Sequence, residues 1–258
     1  MNQDEELSYL NDFHEILQSE VYVDLERLRI LSRHGIPDQL RGEVWKYLLG
    51  VQQADRSKEL SSSKARNEEY EQMDKIDNEI AKRIRGEVSR YQRRVPEIQG
   101  NEYVQSFVNI ILAYLNANRD VEYSPNLVPL CAPFIFILKT ECDAYYCFER
   151  LMNAIEEVDI NEWSTSWLQN LLAKEMKLEN LVRLWDTYFA IPDPFAFHPY
   201  ICLSILLSAK EALEDLEQSE IRTMLLRLPT LNMEMIIADA YNFRHETIER
   251  QMNEDGEL

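Results

Sequence analysis

Ile84-Arg85-Gly86-Glu87-Val88-Ser89-Arg90-Tyr91-Gln92-Arg93-Arg94 is a basic stretch in an acidic chain, and an amphipathic helix follows it. In that helix Val104, Phe107, Val108, Ile111, Leu112 and Leu115 recur at helical spacing, so they share one face. The stretch closes at Glu122-Tyr123-Ser124-Pro125-Asn126-Leu127. This order suggests Arg90 presented outward, the Tyr123 turn beside it, and a helical scaffold holding both.

The totals support such a scaffold. The chain has 258 residues, 45% hydrophobic and 28% charged, enough to bury one sizeable core or two small ones. Only 6 glycines and 9 prolines interrupt it, which favours long helices. No alternating run rich in β-branched residues reads as a strand, so an all-α chain is expected. The net charge of −19 argues against a nucleic-acid binder and against a broadly basic membrane surface. A local cationic site remains compatible with it, because lysines and arginines crowd between Lys82 and Arg94.

Cys131, Cys142, Cys147 and Cys202 form no CxxC pair and have no histidine at ligand spacing, so buried free thiols in a reducing compartment are expected. His14, His34, His198 and His245 are scattered, with no metal spacing. No P-loop, nucleophile elbow or glycine-rich cradle occurs, which leaves a self-contained hydrolase without its parts. Residues 1–10 lack the apolar core of a signal peptide, and the apolar run Leu127–Leu138 is too short to span a bilayer.

Working outward, residues 2–32 read as one or two amphipathic helices, with Asp24 placed to cap the second. Arg33-His34-Gly35-Ile36-Pro37-Asp38-Gln39-Leu40-Arg41-Gly42-Glu43-Val44-Trp45 then makes a turn at Gly35 and starts a helix near Pro37. Gly50 is a plausible C-terminal cap for that helix. Residues 52–69, polar and serine-rich, read as a solvated loop or frayed helix, with a helix from about Tyr70 into the basic patch. Further helices are expected over Leu130–Leu138, Glu141–Met152, Lys177–Phe189 and from Pro199. Glu211–Glu220 reads as a solvated acidic face, and the tail after Arg250 as polar and loose.

The pattern R-x-G-I-P-x-x-L-R-x-x-V-W at Arg33–Trp45 closely resembles the opening motif of the TBC domain, the family of Rab GTPase-activating proteins. Leu184-Trp185-Asp186 resembles that family's L-R-L-W-D helix. The family's I-x-x-D-x-x-R-T motif carries a catalytic arginine finger, and two registers compete for it here. Ile76-x-x-Glu79-x-x-Lys82 leaves lysine at the finger position, whereas Ile84-x-x-Glu87-x-x-Arg90 keeps arginine, with Tyr91 in place of threonine. The second register is preferred, because Arg90 then precedes Tyr123 by 33 positions (123 − 90), similar to the family's spacing. In the family's Y-x-Q-G-M motif the glutamine is the second catalytic residue. Here Tyr123-Ser124-Pro125-Asn126-Leu127 puts proline at the glutamine position and asparagine at the glycine. The connection after Met152 is much shorter than the family's.

The resemblance implies an all-α, TBC-type helical domain of two packed helical subdomains over 33–250. It would be preceded by an N-terminal helical extension (1–32), would have a shortened connection near 153–166, and would end in a flexible tail (251–258). It implies a Rab-type small GTPase as partner, with GTP and Mg belonging to that partner and no cofactor of the chain's own. It implies a cytoplasmic protein that reaches endomembranes through partners and acts in vesicle trafficking. By the same resemblance Arg90 is the finger, and Glu87, Tyr91, Tyr123, Ser124, Pro125 and Asn126 are partner-binding residues. Read from the residues alone, Arg90 is equally a solvated helix residue or the partner of Glu87 or Glu97 in a salt bridge.

Overall fold

The computed structural model describes residues 3–156, 166–214 and 216–255. These are helical, with no strand among the described residues and a single isolated bridge between Tyr22 and Asp55. They form two compact units, Met1–Asp159 and Ile160–Leu258.

The first unit holds α1 (Gln3–Leu17), α2 (Leu25–Ser32), α3 (Asp38–Leu48), α4 (Glu59–Gln72), α5 (Asn78–Gln92), α6 (Asn101–Ala117), α7 (Leu127–Ile137) and α8 (Glu141–Glu156). Asp24 caps α2 as expected, its carboxylate accepting from the Arg27 N–H at 3.0 Å. Gly35 turns the chain into α3 with φ 101°. Arg41 then ties the start of α3 together, pairing with Asp38 and donating to the Ile36 carbonyl at 2.7 Å. Trp45 is fully buried, edge-on to Phe134 with ring centroids 5.8 Å apart. The opening motif is therefore scaffold: each of these residues fixes where α3 enters the core.

Helix α6 sits at the centre of this unit, against α5, α7 and α8. Residues Phe107 and Val108 and the whole run Ile110–Leu115 are buried, because a helix apolar nearly all round has to be enclosed. The predicted apolar stripe understated this.

Two boundaries differ from expectation. Residues 52–69, expected as a solvated loop or frayed helix, contain a short 3-10 turn (Arg56–Lys58) and then the well-formed α4. Tyr70 is the buried anchor of α4, its hydroxyl donating to Glu141 at 2.8 Å. Nor does one helix run from Tyr70 into the basic patch. Met73 turns extended, and Asp77 starts a separate helix, α5, by accepting from the N–H groups of Glu79 at 3.0 Å and Ile80 at 2.8 Å.

The second unit holds α9 (Ser166–Gln169), α10 (Leu178–Ala190), α11 (Pro194–Ser208), α12 (Lys210–Glu214), α13 (Gln218–Leu225) and α14 (Met233–Asp255). Helix α11 starts at Pro194 rather than at Pro199, because Asp193 caps it by accepting from the Ala196 N–H at 3.0 Å; Pro199 lies inside it. It packs along α14. Arg183 of α10 grips both carboxylate oxygens of Glu234 on α14, at 2.6 and 2.9 Å. Trp185 and Asp186, two and three residues further on, are fully buried. Helix α14 runs to Asp255, into the stretch expected to be a loose tail, while 256–258 and most of the expected short connection (157–165) lie outside the described residues.

Candidate functional site

Helix α5 builds the site by dividing its residues between two faces. Ala81, Ile84, Val88 and Tyr91 are buried, at spacings that give one inward stripe. Arg83, Glu87 and Arg90 follow at i, i+4 and i+7 and share a second stripe, rotated away from the core. Arg83 and Arg90 are exposed, and Glu87 is half-buried.

Arg90 occupies the last turn of α5, with 61% of its side chain exposed. Its Nη2 and Nε both donate to one oxygen of Glu87, at 2.5 and 3.0 Å. Of the alternatives open for Arg90, the salt bridge to Glu87 forms, and it leaves the guanidinium on the surface. The Glu87 side chain is 15% exposed, so the guanidinium is tethered along its Nε–Nη2 edge while most of the arginine side chain stays in solvent.

Tyr91 stands apart from the other candidates. It is 3% exposed, with its ring edge-on to Phe107 at 6.3 Å. Burial raises its phenol well above the ordinary value. As a partner-binding residue it is corrected to a core residue: one step along a helix rotates the side chain by about 100°, which takes it from the Arg90 stripe into the core.

Tyr123 does lie beside the outward stripe. The Arg83 guanidinium sits 4.6 Å from the centre of its ring. Its phenol is raised chiefly by burial and then by the charge of Glu87, while Arg83 and Arg90 oppose the shift; all three charges are therefore within electrostatic reach. The Tyr123 hydroxyl is enclosed and finds no hydrogen-bond partner among the described residues. After it comes a tight turn. The Leu127 N–H donates to the Ser124 carbonyl at 3.1 Å, and the Asn126 N–H to Ser124 Oγ at 3.3 Å. Pro125 occupies the second position of that turn, where its fixed φ suits the backbone, and is exposed. Asn126, half-buried, leads directly into α7.

The structure thus brings Glu87, Arg90 and Tyr123 together, places Ser124, Pro125 and Asn126 on the adjoining turn, and removes Tyr91. It adds Arg83, which the sequence reading passed over. The signal available was its seven-residue offset from Arg90; what could not be read was its contact with a ring 40 positions later (123 − 83).

This face can offer cations to an anionic partner and can exclude little water by itself. The four cysteines are buried or half-buried, and burial pushes each thiol up, to about 11 for Cys142 and about 12 for Cys202. No group of three or more metal-ligating side chains occurs among the described residues. Among them, too, no helix is long and apolar enough to cross a membrane.

A family model described as the Rab-GTPase-TBC domain matches residues 38–157 and 152–214. The GTPase-activating protein gyp1 of Schizosaccharomyces pombe is 23% identical over 312 residues, covering 91% of this chain and 60% of its own length. Human TBC1 domain family member 22A is 26% identical over 321 residues, covering 93% of this chain and 60% of its own length. The chain therefore spans about three-fifths of the length of these relatives. Both alignments are longer than the 258 residues of the chain, so they include positions with no counterpart in it. The crystal structure of the Ypt/Rab-GAP domain of Gyp1p is similar in fold, with a TM-score of 0.80 at 18% identity over 93% of this chain and 99% of that one. The Chlamydomonas flagellar RabGAP TBC domain follows, with a TM-score of 0.67 at 16% identity over 93% of this chain and 91% of that one.

Proposed function

The chain belongs to the Rab-GTPase-TBC domain family, and from that premise we propose that it docks on a Rab-type small GTPase and supplies Arg90 in trans to accelerate GTP hydrolysis. We assign the TBC domain to 33–250, with 1–32 as a helical extension. The break in the family match at 152–157 and the excess length of the alignments support a shortened connection there.

The observation that carries the proposal is the placement of Arg90: exposed, tethered by a half-buried carboxylate, and on the same face as the Tyr123 turn. Hydrolysis on a small GTPase is slow because charge developing on the transferred phosphoryl group is poorly neutralised. A guanidinium brought in from outside offsets that charge, worth roughly 10³–10⁵ in rate. Arginine suits the task because it stays charged and its planar fork meets oxygen atoms in fixed geometry. Here Glu87 holds the fork at one edge and leaves the other toward solvent.

A second reading follows from Pro125. Proline has neither a side-chain amide nor a backbone N–H, so it cannot orient the attacking water as the family's glutamine does. A chain with the cation and without the water-positioner is either an activator that relies on the GTPase's own glutamine or a binding module that holds the GTPase without accelerating it.

Single-turnover GTP hydrolysis across a panel of Rab proteins, with the wild type and Arg90→Ala, separates these. Stimulation by the wild type that is lost on substitution supports the activator. Binding to the GTP-loaded form with no faster hydrolysis selects the binding module. Equal stimulation by both proteins removes Arg90 from the mechanism.

A further inference from the structure

On the outward stripe of α5, Arg83 and Arg90 flank Glu87, and Glu79 lies one turn before Arg83. Glu87 is committed to Arg90. Among the described residues no carboxylate pairs with Arg83, whose guanidinium instead lies over the Tyr123 ring with the side chain exposed. At a rise of 1.5 Å per residue, the two arginines stand roughly 10 Å apart along one helix face. A chain with net charge −19 thus presents two exposed arginines beside the turn that carries Pro125.

The two arginines differ in what an incoming anion must displace. An anion that meets Arg90 has to share the guanidinium with Glu87, whose carboxylate already holds one edge. Arg83 gives up no internal salt bridge. The tyrosine face also holds the guanidinium in a fixed pose, reducing the entropy lost on contact. An incoming anion therefore meets a partly satisfied guanidinium at Arg90 and one with no carboxylate partner among the described residues at Arg83.

We propose that Arg83 is a partner-contact residue, its guanidinium stacked on Tyr123 and binding an anionic group, carboxylate or phosphate, on the protein that docks against α5. This rests on the reading above that the docking protein is a small GTPase. It assigns affinity to Arg83 and rate to Arg90, and lets a face without the family's glutamine still capture its partner.

The test uses the full chain with a Rab protein from the panel. Hydrolysis is followed at rising concentrations of the activator, at low and at physiological salt, for the wild type, Arg83→Gln, Arg83→Lys and Arg90→Ala. Binding to the GTP-loaded Rab is measured separately, and thermal melts confirm folding. Glutamine keeps a planar group over the ring without the charge; lysine keeps the charge. Arg83→Gln is expected to weaken binding about tenfold, to flatten its salt dependence, and to leave the plateau rate within about twofold. Arg83→Lys should recover most of the affinity. Should Arg83→Gln bind like the wild type with the same salt dependence while Arg90→Ala loses the plateau, Arg83 merely packs against Tyr123 and the proposal is overturned, with the activator reading intact. Should no variant change binding or rate, both readings fall together. A penalty equal for GDP- and GTP-loaded partner assigns the anion to a carboxylate, and one confined to the GTP form assigns it to the terminal phosphate.

Discussion

Arg90 and Glu87, three residues apart on α5, are joined through one carboxylate oxygen that accepts from both Nη2 and Nε of the guanidinium. With 61% of the Arg90 side chain exposed, the pair contributes little to stability, about 0.5 kcal/mol or less. Its effect is on direction: a long side chain that would otherwise sample many rotamers is held along the stripe shared with Tyr123. Glu87→Ala is therefore expected to melt within about 2 °C of the wild type. It should slow stimulated GTP hydrolysis about tenfold, less than the loss from Arg90→Ala. Thermal melts and single-turnover assays on the three proteins check this. A large drop in melting temperature would make Glu87 a structural residue instead.

The sequence announced the scaffold more readily than the site. Asp24, Gly35, Trp45 and Asp186 act locally or fill the core, and local spacing carries that information. Residues 52–69 leave loop and frayed helix both open in the sequence, because Tyr70 is the buried anchor of α4 and its other residues give no apolar stripe. The break before α5 depends on Asp77 capping new N–H groups, a signal that Asp74 nearby offers just as well in sequence. Tyr91 enters only through its position in the arginine motif, and the turn of the helix takes that position into the core. Arg83 was overlooked because its partner ring is set by how α5 meets the segment before α7, a tertiary fact that no periodicity encodes.

Pro125 invites a gain-of-function test. Its ring suits the Ser124–Leu127 turn, so replacing it removes a restraint on the unfolded chain and costs up to about 1 kcal/mol. Asn126 leads into α7 from a right-handed helical conformation, with φ −67° and ψ −22°, so glycine is tolerated there. Pro125→Gln with Asn126→Gly is expected to lower the melting temperature slightly. It should raise the plateau rate of GTP hydrolysis about tenfold over the wild type at saturating partner, by supplying a group that can orient water. Single-turnover kinetics with the double variant decide it. An unchanged rate would show that a side-chain amide at position 125 is not what limits this site.

Two glycines inside helices should respond oppositely to alanine. At Gly86 on α5 an added Cβ meets nothing within 4 Å, so Gly86→Ala gains helix propensity and stabilises by about 0.5–1 kcal/mol. At Gly42 on α3 the same atom comes 3.1 Å from the Ile137 carbonyl oxygen and 3.3 Å from a Leu138 methyl carbon. A backbone oxygen at the end of α7 cannot swing aside, so Gly42→Ala forces the two segments apart and is expected to destabilise by about 1–2 kcal/mol in spite of the propensity gain. Thermal melts of the two variants give the signs directly.

His198 makes the second unit sensitive to mild acid. It is 2% exposed, its Nε2–H donates to the Trp167 carbonyl at 3.0 Å, and its Nδ1 accepts from the Tyr188 hydroxyl. Burial lowers its pKa to about 4, with the bond to Trp167 opposing the shift. In the unfolded chain the imidazole takes its proton near the ordinary value of about 6.5. Between those values the unfolded state binds a proton that the folded state does not. Its contribution to stability is thus constant above about pH 6.5 and declines as the pH falls toward 4, by about 1.4 kcal/mol per pH unit. Carboxylates whose pKa is lowered in the folded state, such as Glu59, add losses only below their unfolded value of about 4.5. The interval from pH 6.5 to 5 therefore isolates the histidine from those acids. Urea melts of the wild type should lose about 2 kcal/mol across it. His198→Gln, which can still accept from Tyr188 and donate to Trp167 without titrating, should show a much shallower slope whatever its absolute stability. Equal slopes for the two proteins would mean that the imidazole is already hydrated in the folded state.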